Sequence, residues 1–170
     1  MCSFSQRLKT LLQNLGRAAN NPLADQLKIA LVPVSGSSLD EFTVSLACDL
    51  VKPSKGTVHI VYVIEVPRQL PLDAEVPFES SRGERILVQM EKIAKSRKCK
   101  VEGEILQARS LGPAVVGEAS LRNTDVVVVG SPYQERFGAP TIGEVVPYLL
   151  KYSPCRVVVY RDLQPRVENK

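Results

Sequence analysis

Lys28–Ser38 reads KIALVPVSGSS, a short apolar run that stops at a Ser-Gly-Ser-Ser turn. This is the form of a buried strand that ends in a glycine-bearing loop. The next segment changes period. Leu39–Val51 places Phe42, Val44, Leu46, Ala47 and Leu50 at approximately helical spacing, with Asp40 and Glu41 where carboxylates complement the positive end of a helix. Thr57–Ile64 (TVHIVYVI) is nearly continuous in β-branched residues, as in a strand covered on both faces. Farther out the alternation repeats. Arg82–Lys98 sets Ile86, Leu87, Met90, Ile93 and Ala94 on one helical face, and Val101–Ala108 alternates again. Pro113–Arg122 reads as a short helix with Pro113 in its first turn, and Asp125–Val129 (DVVVV) is a further apolar run that stops at Gly130. A last helix falls between Thr141 and Tyr152, ahead of Arg156–Tyr160 (RVVVY). The order βαβαβαβαβ predicts right-handed crossovers and an open, doubly wound, mostly parallel five-stranded α/β sheet with helices on both faces.

The chain has 170 residues, a length for one domain. Its 22 Lys and Arg against 18 Asp and Glu leave a net charge of +4, small and dispersed, which speaks against nucleic acid as a partner. Hydrophobic residues at 44% and charged residues at 24% fit an ordinary globular domain rather than a disordered chain. The apolar runs are too short to span a membrane and no secretory apolar core is present at the start, so a cytoplasmic location is expected. Cys2, Cys48, Cys99 and Cys155 form no Cys-x-x-Cys pair and His59 is the single histidine. That pattern excludes a clustered zinc site or a disulfide scaffold and reads as free thiols in a reducing compartment. Three segments follow from the pattern. Residues 1–26 hold an amphipathic helix, with Phe4, Leu8, Leu11, Leu12 and Leu15 on one stripe, and a linker that Asn20-Asn21-Pro22 begins. Residues 27–162 form the domain and 163–170 a tail. Glu65–Ser81, with Pro67, Pro71 and Pro77, breaks the rhythm and reads as a long surface loop.

In open parallel sheets a ligand sits beyond the carboxyl ends of the strands, where strand order reverses. Ser35–Ser38 and Gly130-Ser131-Pro132 both follow strand ends and would line one crevice. Val32–Ser38, Gly112-Pro113, Asp125–Ser131 and Ser153–Val159, in this order and spacing, resemble the universal stress protein family over about residues 27–162. The resemblance implies sheet order 3-2-1-4-5, a homodimer through the last strand (Arg156–Tyr160), a regulatory rather than enzymatic role and, in many members, bound ATP or another adenine nucleotide. It points to a crevice made by Pro33, Val34, Ser35, Val63, Gly112, Val129, Gly130, Tyr133, Gly143, Glu144 and Val145.

The nucleotide-binding branch carries G-x2-G-x9-G followed by Ser or Thr, and the matching positions here are Gly130, Tyr133, Gly143 and Glu144. Tyr133 replaces a glycine whose use is close backbone approach to phosphate. Glu144 replaces a hydroxyl that would donate to a phosphate oxygen. The family's usual Asp after the first strand is Ser35, which still offers a hydrogen bond to a base or sugar. A carboxylate about 4 Å from a phosphate charge, at an effective dielectric near 20, is repelled by roughly 4 kcal/mol. Thr141-x-x-Glu144 also has the form of a capping box, in which a carboxylate occupies the helix N-terminus that a phosphate would otherwise take. Pro147 then requires the helix to start later than Thr141 or to kink. Tyr133 reads either as a loop aromatic lidding a filled crevice or as a stacking platform for a planar base.

The expectation is a non-catalytic regulatory or interaction domain, dimeric, with weak or lost ATP binding and no resident cofactor or metal. The alternative is an adenine-nucleotide sensor for ATP, AMP or a cyclic dinucleotide, including the cytosolic regulatory domain of a membrane transporter. Other candidates read as structure. His59 sits mid-strand and faces a core or a helix, which leaves no Ser-His-Asp set. Asp40, Glu41 and Asp125 mark helix and strand ends. Lys92, Lys95, Arg97, Lys98 and Lys100 complement a helix C-terminus, with an anionic partner as the second reading. Nothing near Cys48 or Cys155 in sequence marks either thiol as reactive.

Overall fold

A computed structural model describes residues 26–136 and 138–161. The expected helix at Phe4–Leu15 and the tail lie outside these residues. In chain order the elements are β1 (Ile29–Val34), α1 (Asp40–Val51), β2 (Thr57–Glu65), α2 (Pro77–Ser96) and β3 (Lys100–Ala108), then α3 (Leu111–Leu121) and β4 (Val126–Ser131). A small hairpin of β5 (Gln134–Arg136) and β6 (Ala139–Thr141) precedes α4 (Val145–Tyr152) and β7 (Arg156–Arg161). The five main strands pair in parallel in the order β3-β2-β1-β4-β7, the expected 3-2-1-4-5 topology with β7 as the fifth strand.

The strand runs are apolar on both faces because both faces are covered. Ala30, Val32 and Val34 of β1 pack with Val44, Ala47 and Val51 of α1 and Leu87, Met90 and Ala94 of α2. Leu31, Val61, Val127 and Val129 face the other way, against Val115 and Ala119 of α3 and Val146 and Leu149 of α4. Asp125 locks the central pair, its carboxylate accepting from the backbone N–H groups of Lys28 (2.8 Å) and Ile29 (2.9 Å).

Two expectations need correction. Helix α2 starts at Pro77, inside the stretch read as loop. Proline at a first helical position lacks only an N–H that has no helical partner anyway, so it begins this helix instead of excluding it. The first turn is then tied to the sheet: the Tyr62 hydroxyl donates to the Glu79 carboxylate at 3.0 Å. Gly83 lets this happen, since a Cβ there would lie 2.6 Å from the Tyr62 ring. The capping box is the second. Thr141 Oγ1 accepts from the Gly143 N–H (3.2 Å), no side chain caps α4, and the helix begins only at Val145. Pro147 thereby falls in the first turn, where no N–H is required of it.

Candidate functional site

The carboxyl ends of β1 and β4 diverge beneath a cleft of about 190 Å³. Its walls come from the end of β1 and the loop after it (Pro33, Val34, Ser35, Ser37), the end of β4 (Val129, Gly130, Ser131) and the turn into α4 with its first residue (Ile142, Gly143, Glu144, Val145). Gly130 is closely packed: a Cβ there would lie 3.1 Å from the Leu39 side chain and 3.3 Å from that of Thr43, so both would have to give by a few tenths of an ångström. Gly143 is required for its backbone, with φ at +70° just before α4.

Eight of the expected crevice residues line this cleft: Pro33, Val34, Ser35, Val129, Gly130, Gly143, Glu144 and Val145. Three stand elsewhere. Gly112 lies in an adjoining recess of about 200 Å³, which shares Leu111, Glu144 and Val145 with the cleft. Val63 pairs in register with Leu106 on the β2–β3 side and is not part of the wall. Tyr133 is outside the wall as well. Its hydroxyl donates to Glu135, and the Arg161 guanidinium lies over its ring at 5.2 Å.

The residue that sequence reasoning undervalued is Asp40. Its buried carboxylate turns back on the β1 loop and accepts from the N–H groups of Ser35 (2.9 Å), Gly36 (2.7 Å) and Ser37 (3.1 Å), and from the Ser37 hydroxyl (2.6 Å). Successive N–H groups pointing into one concavity are an anion-binding nest, and here the chain fills its own nest. The same device recurs nearby. The Leu111 N–H, at the start of α3, donates to the Glu65 carboxylate at 2.6 Å. Glu144 sits at the N-cap of α4. Asp40 and Glu65 thus hold N–H groups by hydrogen bonds, whereas the Glu144 side chain caps none and brings only its charge to the start of α4. Arg82 approaches from outside the wall: its guanidinium donates to the carbonyl of Ser35 at 3.4 Å and lies 3.9 Å from the Glu79 carboxylate.

His59 stands apart, near the amino end of β2. Arg122 donates to its Nδ1 at 3.0 Å and Glu102 lies 3.3 Å away, while Arg122 also bonds Glu118 and Glu104. Burial, and then the Arg122 charge, hold its pKa below the ordinary histidine value. The folded state therefore resists a proton that the unfolded chain accepts. Stability is full above about pH 6.5 and falls as pH drops from there toward the lowered value. His59→Gln is expected to flatten that part of a urea-stability profile against pH; an unchanged slope would assign it to other groups.

The comparisons with known proteins agree with this fold. The family model described as "Universal stress protein family" matches residues 26–161. The chain belongs to the universal stress protein family. A universal stress protein of Methanocaldococcus jannaschii is 23% identical over 140 residues, covering 79% of this chain and 82% of the relative. Among solved structures, a universal stress protein from Archaeoglobus fulgidus in complex with dAMP superposes with a TM-score of 0.61 at 15% identity, covering 78% of this chain and 96% of that one. A universal stress protein in complex with cAMP gives 0.59 at 20% identity, covering 79% and 97%. At such identities the likeness to these structures bears on the fold. Among the described residues no helix is long and apolar enough to cross a membrane, and no cluster of His, Cys, Asp or Glu could hold a metal ion.

Proposed function

We propose that this universal stress protein domain is a non-catalytic, cytoplasmic regulator whose cleft takes adenosine or an adenosine monophosphate and discriminates against the triphosphate. The observation that carries the reading is the set of acidic side chains at the three positions where N–H groups could receive phosphate: Asp40, Glu65 and Glu144. A base and ribose need apolar walls and a few hydrogen bonds, which Pro33, Val34, Val129 and Ser35 offer. A single phosphate would find Arg82 just outside the wall, beside Ser35. Three phosphates would have to approach the Glu144 carboxylate, with the N–H groups of the β1 loop and of the α3 start already held by Asp40 and Glu65. The structural relatives described with dAMP and cAMP carry one phosphate each, which fits this reading. A regulatory role without catalysis accords with His59 being engaged by Arg122, away from the cleft. A reducing location accords with Cys48, Cys99 and Cys155 being free thiols.

The domain is further proposed to act as a homodimer through β7, a sheet edge of half-buried Val157, Val158, Val159 and Tyr160 that pairs with β4 on its inner side. Such an edge invites a second copy. Calorimetric titration of one sample with AMP, cAMP and ATP, each with and without magnesium, tests the ligand reading. Binding of the monophosphates with ATP weaker by roughly tenfold or more is expected. ATP binding as tight as AMP, or no heat from any of them, overturns it. Light scattering of the same sample should return twice the chain mass, and a monomeric mass removes the dimer.

A further inference from the structure

At the opposite end of the sheet, where β2 and β3 begin, lies a recess of about 240 Å³ lined by Lys52, Lys55, Gly56, Arg97, Lys98, Cys99 and Lys100. We propose that this recess is a second ligand site, for a compact polyphosphate anion. Two independent features point to it.

The first is charge. Five cations converge on the recess and no carboxylate lines it. Arg97 pairs with Asp49 at 2.9 Å, while none of the four lysines has an ion pair among the described residues. Helices α1 and α2 both end here, and each C-terminus contributes about half a negative charge. Those two ends and Asp49 offset about two of the five cations and leave about three uncompensated.

The second is backbone. Both helix ends close by the same motif. Gly56 N–H donates to Val51 and Lys55 N–H to Lys52; Cys99 N–H donates to Ala94 and Lys98 N–H to Lys95. This closure puts one residue in the left-handed region, where glycine is the usual occupant. Here those residues are Lys55 (φ 54°) and Lys98 (φ 59°), two of the three non-glycine residues with positive φ among the described residues. Both strained positions carry an ammonium group on the same recess. A role for the side chain accounts for keeping lysine where glycine would sit without strain.

The test uses the full chain and inorganic tripolyphosphate, with sulfate at matched ionic strength as control. Cys99, half-exposed in the recess wall, is the reporter: bound polyphosphate should slow its alkylation, followed by peptide mapping. Cys48 beside it stays silent, because burial and then the Cys99 charge push its thiol up to about 12. Lys55→Gly combined with Lys98→Gly relieves both left-handed positions, so its thermal midpoint should rise while tripolyphosphate affinity falls about tenfold or more. Wild-type affinity in that variant, a lowered midpoint, no protection of Cys99, or equal protection by sulfate would each overturn the proposal.

Discussion

Asp40→Ala is expected to lower the unfolding free energy by about 3 kcal/mol and, at the same time, to raise the affinity of the cleft for phosphate. The carboxylate is 4% exposed and accepts four hydrogen bonds, three of them from consecutive backbone N–H groups. Charge-assisted bonds of this kind contribute about 1.5–3 kcal/mol each when measured singly. Four sharing one carboxylate are not additive, and the N–H groups border a cleft that water reaches, so the total stays near the value for one or two. Asp40→Asn is the sharper control. It keeps the size of the side chain but replaces one acceptor oxygen with a donor that opposes the N–H groups, so much of the loss should persist. Urea unfolding measures the first effect and phosphate titration the second. A stability change within about 0.5 kcal/mol would mean that the loop holds its shape without Asp40. A destabilised variant with no gain in phosphate affinity would mean that the freed N–H groups do not face the cleft.

This residue also shows where the sequence stops being informative. Asp40 in a helix's first turn reads as a complement to the helix dipole, and its position alone does not say that it bonds backward to the β1 loop. Glu65 and Leu111 are 46 residues apart, and only the pairing of β2 with β3 brings them together. The strands were legible because runs such as Ala30–Val32 and Val126–Val128 are buried on both faces, leaving a continuous apolar signature. Cleft residues at the ends of β1 and β4 were legible because strand order alone places those ends side by side. The β5–β6 hairpin was not, since three-residue strands are too short to show a period. Tyr133 occupies the glycine position of the family pattern, yet a match in spacing says nothing about which way a ring turns; here it turns to Arg161.

Glu144→Ser restores the hydroxyl of the family pattern and is expected to raise ATP affinity by about ten- to hundredfold while leaving AMP affinity nearly unchanged. Treating the carboxylate as half-buried gives a repulsion of roughly 4 kcal/mol per nearby phosphate charge. The side chain is in fact exposed at the cleft mouth, so solvent screening brings the effect down to about 1–2 kcal/mol. The serine hydroxyl then adds a donor at the start of α4, where the N–H groups have no capping side chain and favour an anion. Salt separates these contributions: the gain from removing charge shrinks as ionic strength rises, and the gain from the new donor does not. Tyr133→Gly should add little, because the ring lies outside the cleft wall under Arg161. If instead Tyr133→Gly gives the larger gain, crowding of the backbone rather than charge keeps the triphosphate out. If neither substitution changes ATP binding, Asp40 and Glu65, which hold their N–H groups by direct hydrogen bonds, are the barrier that remains.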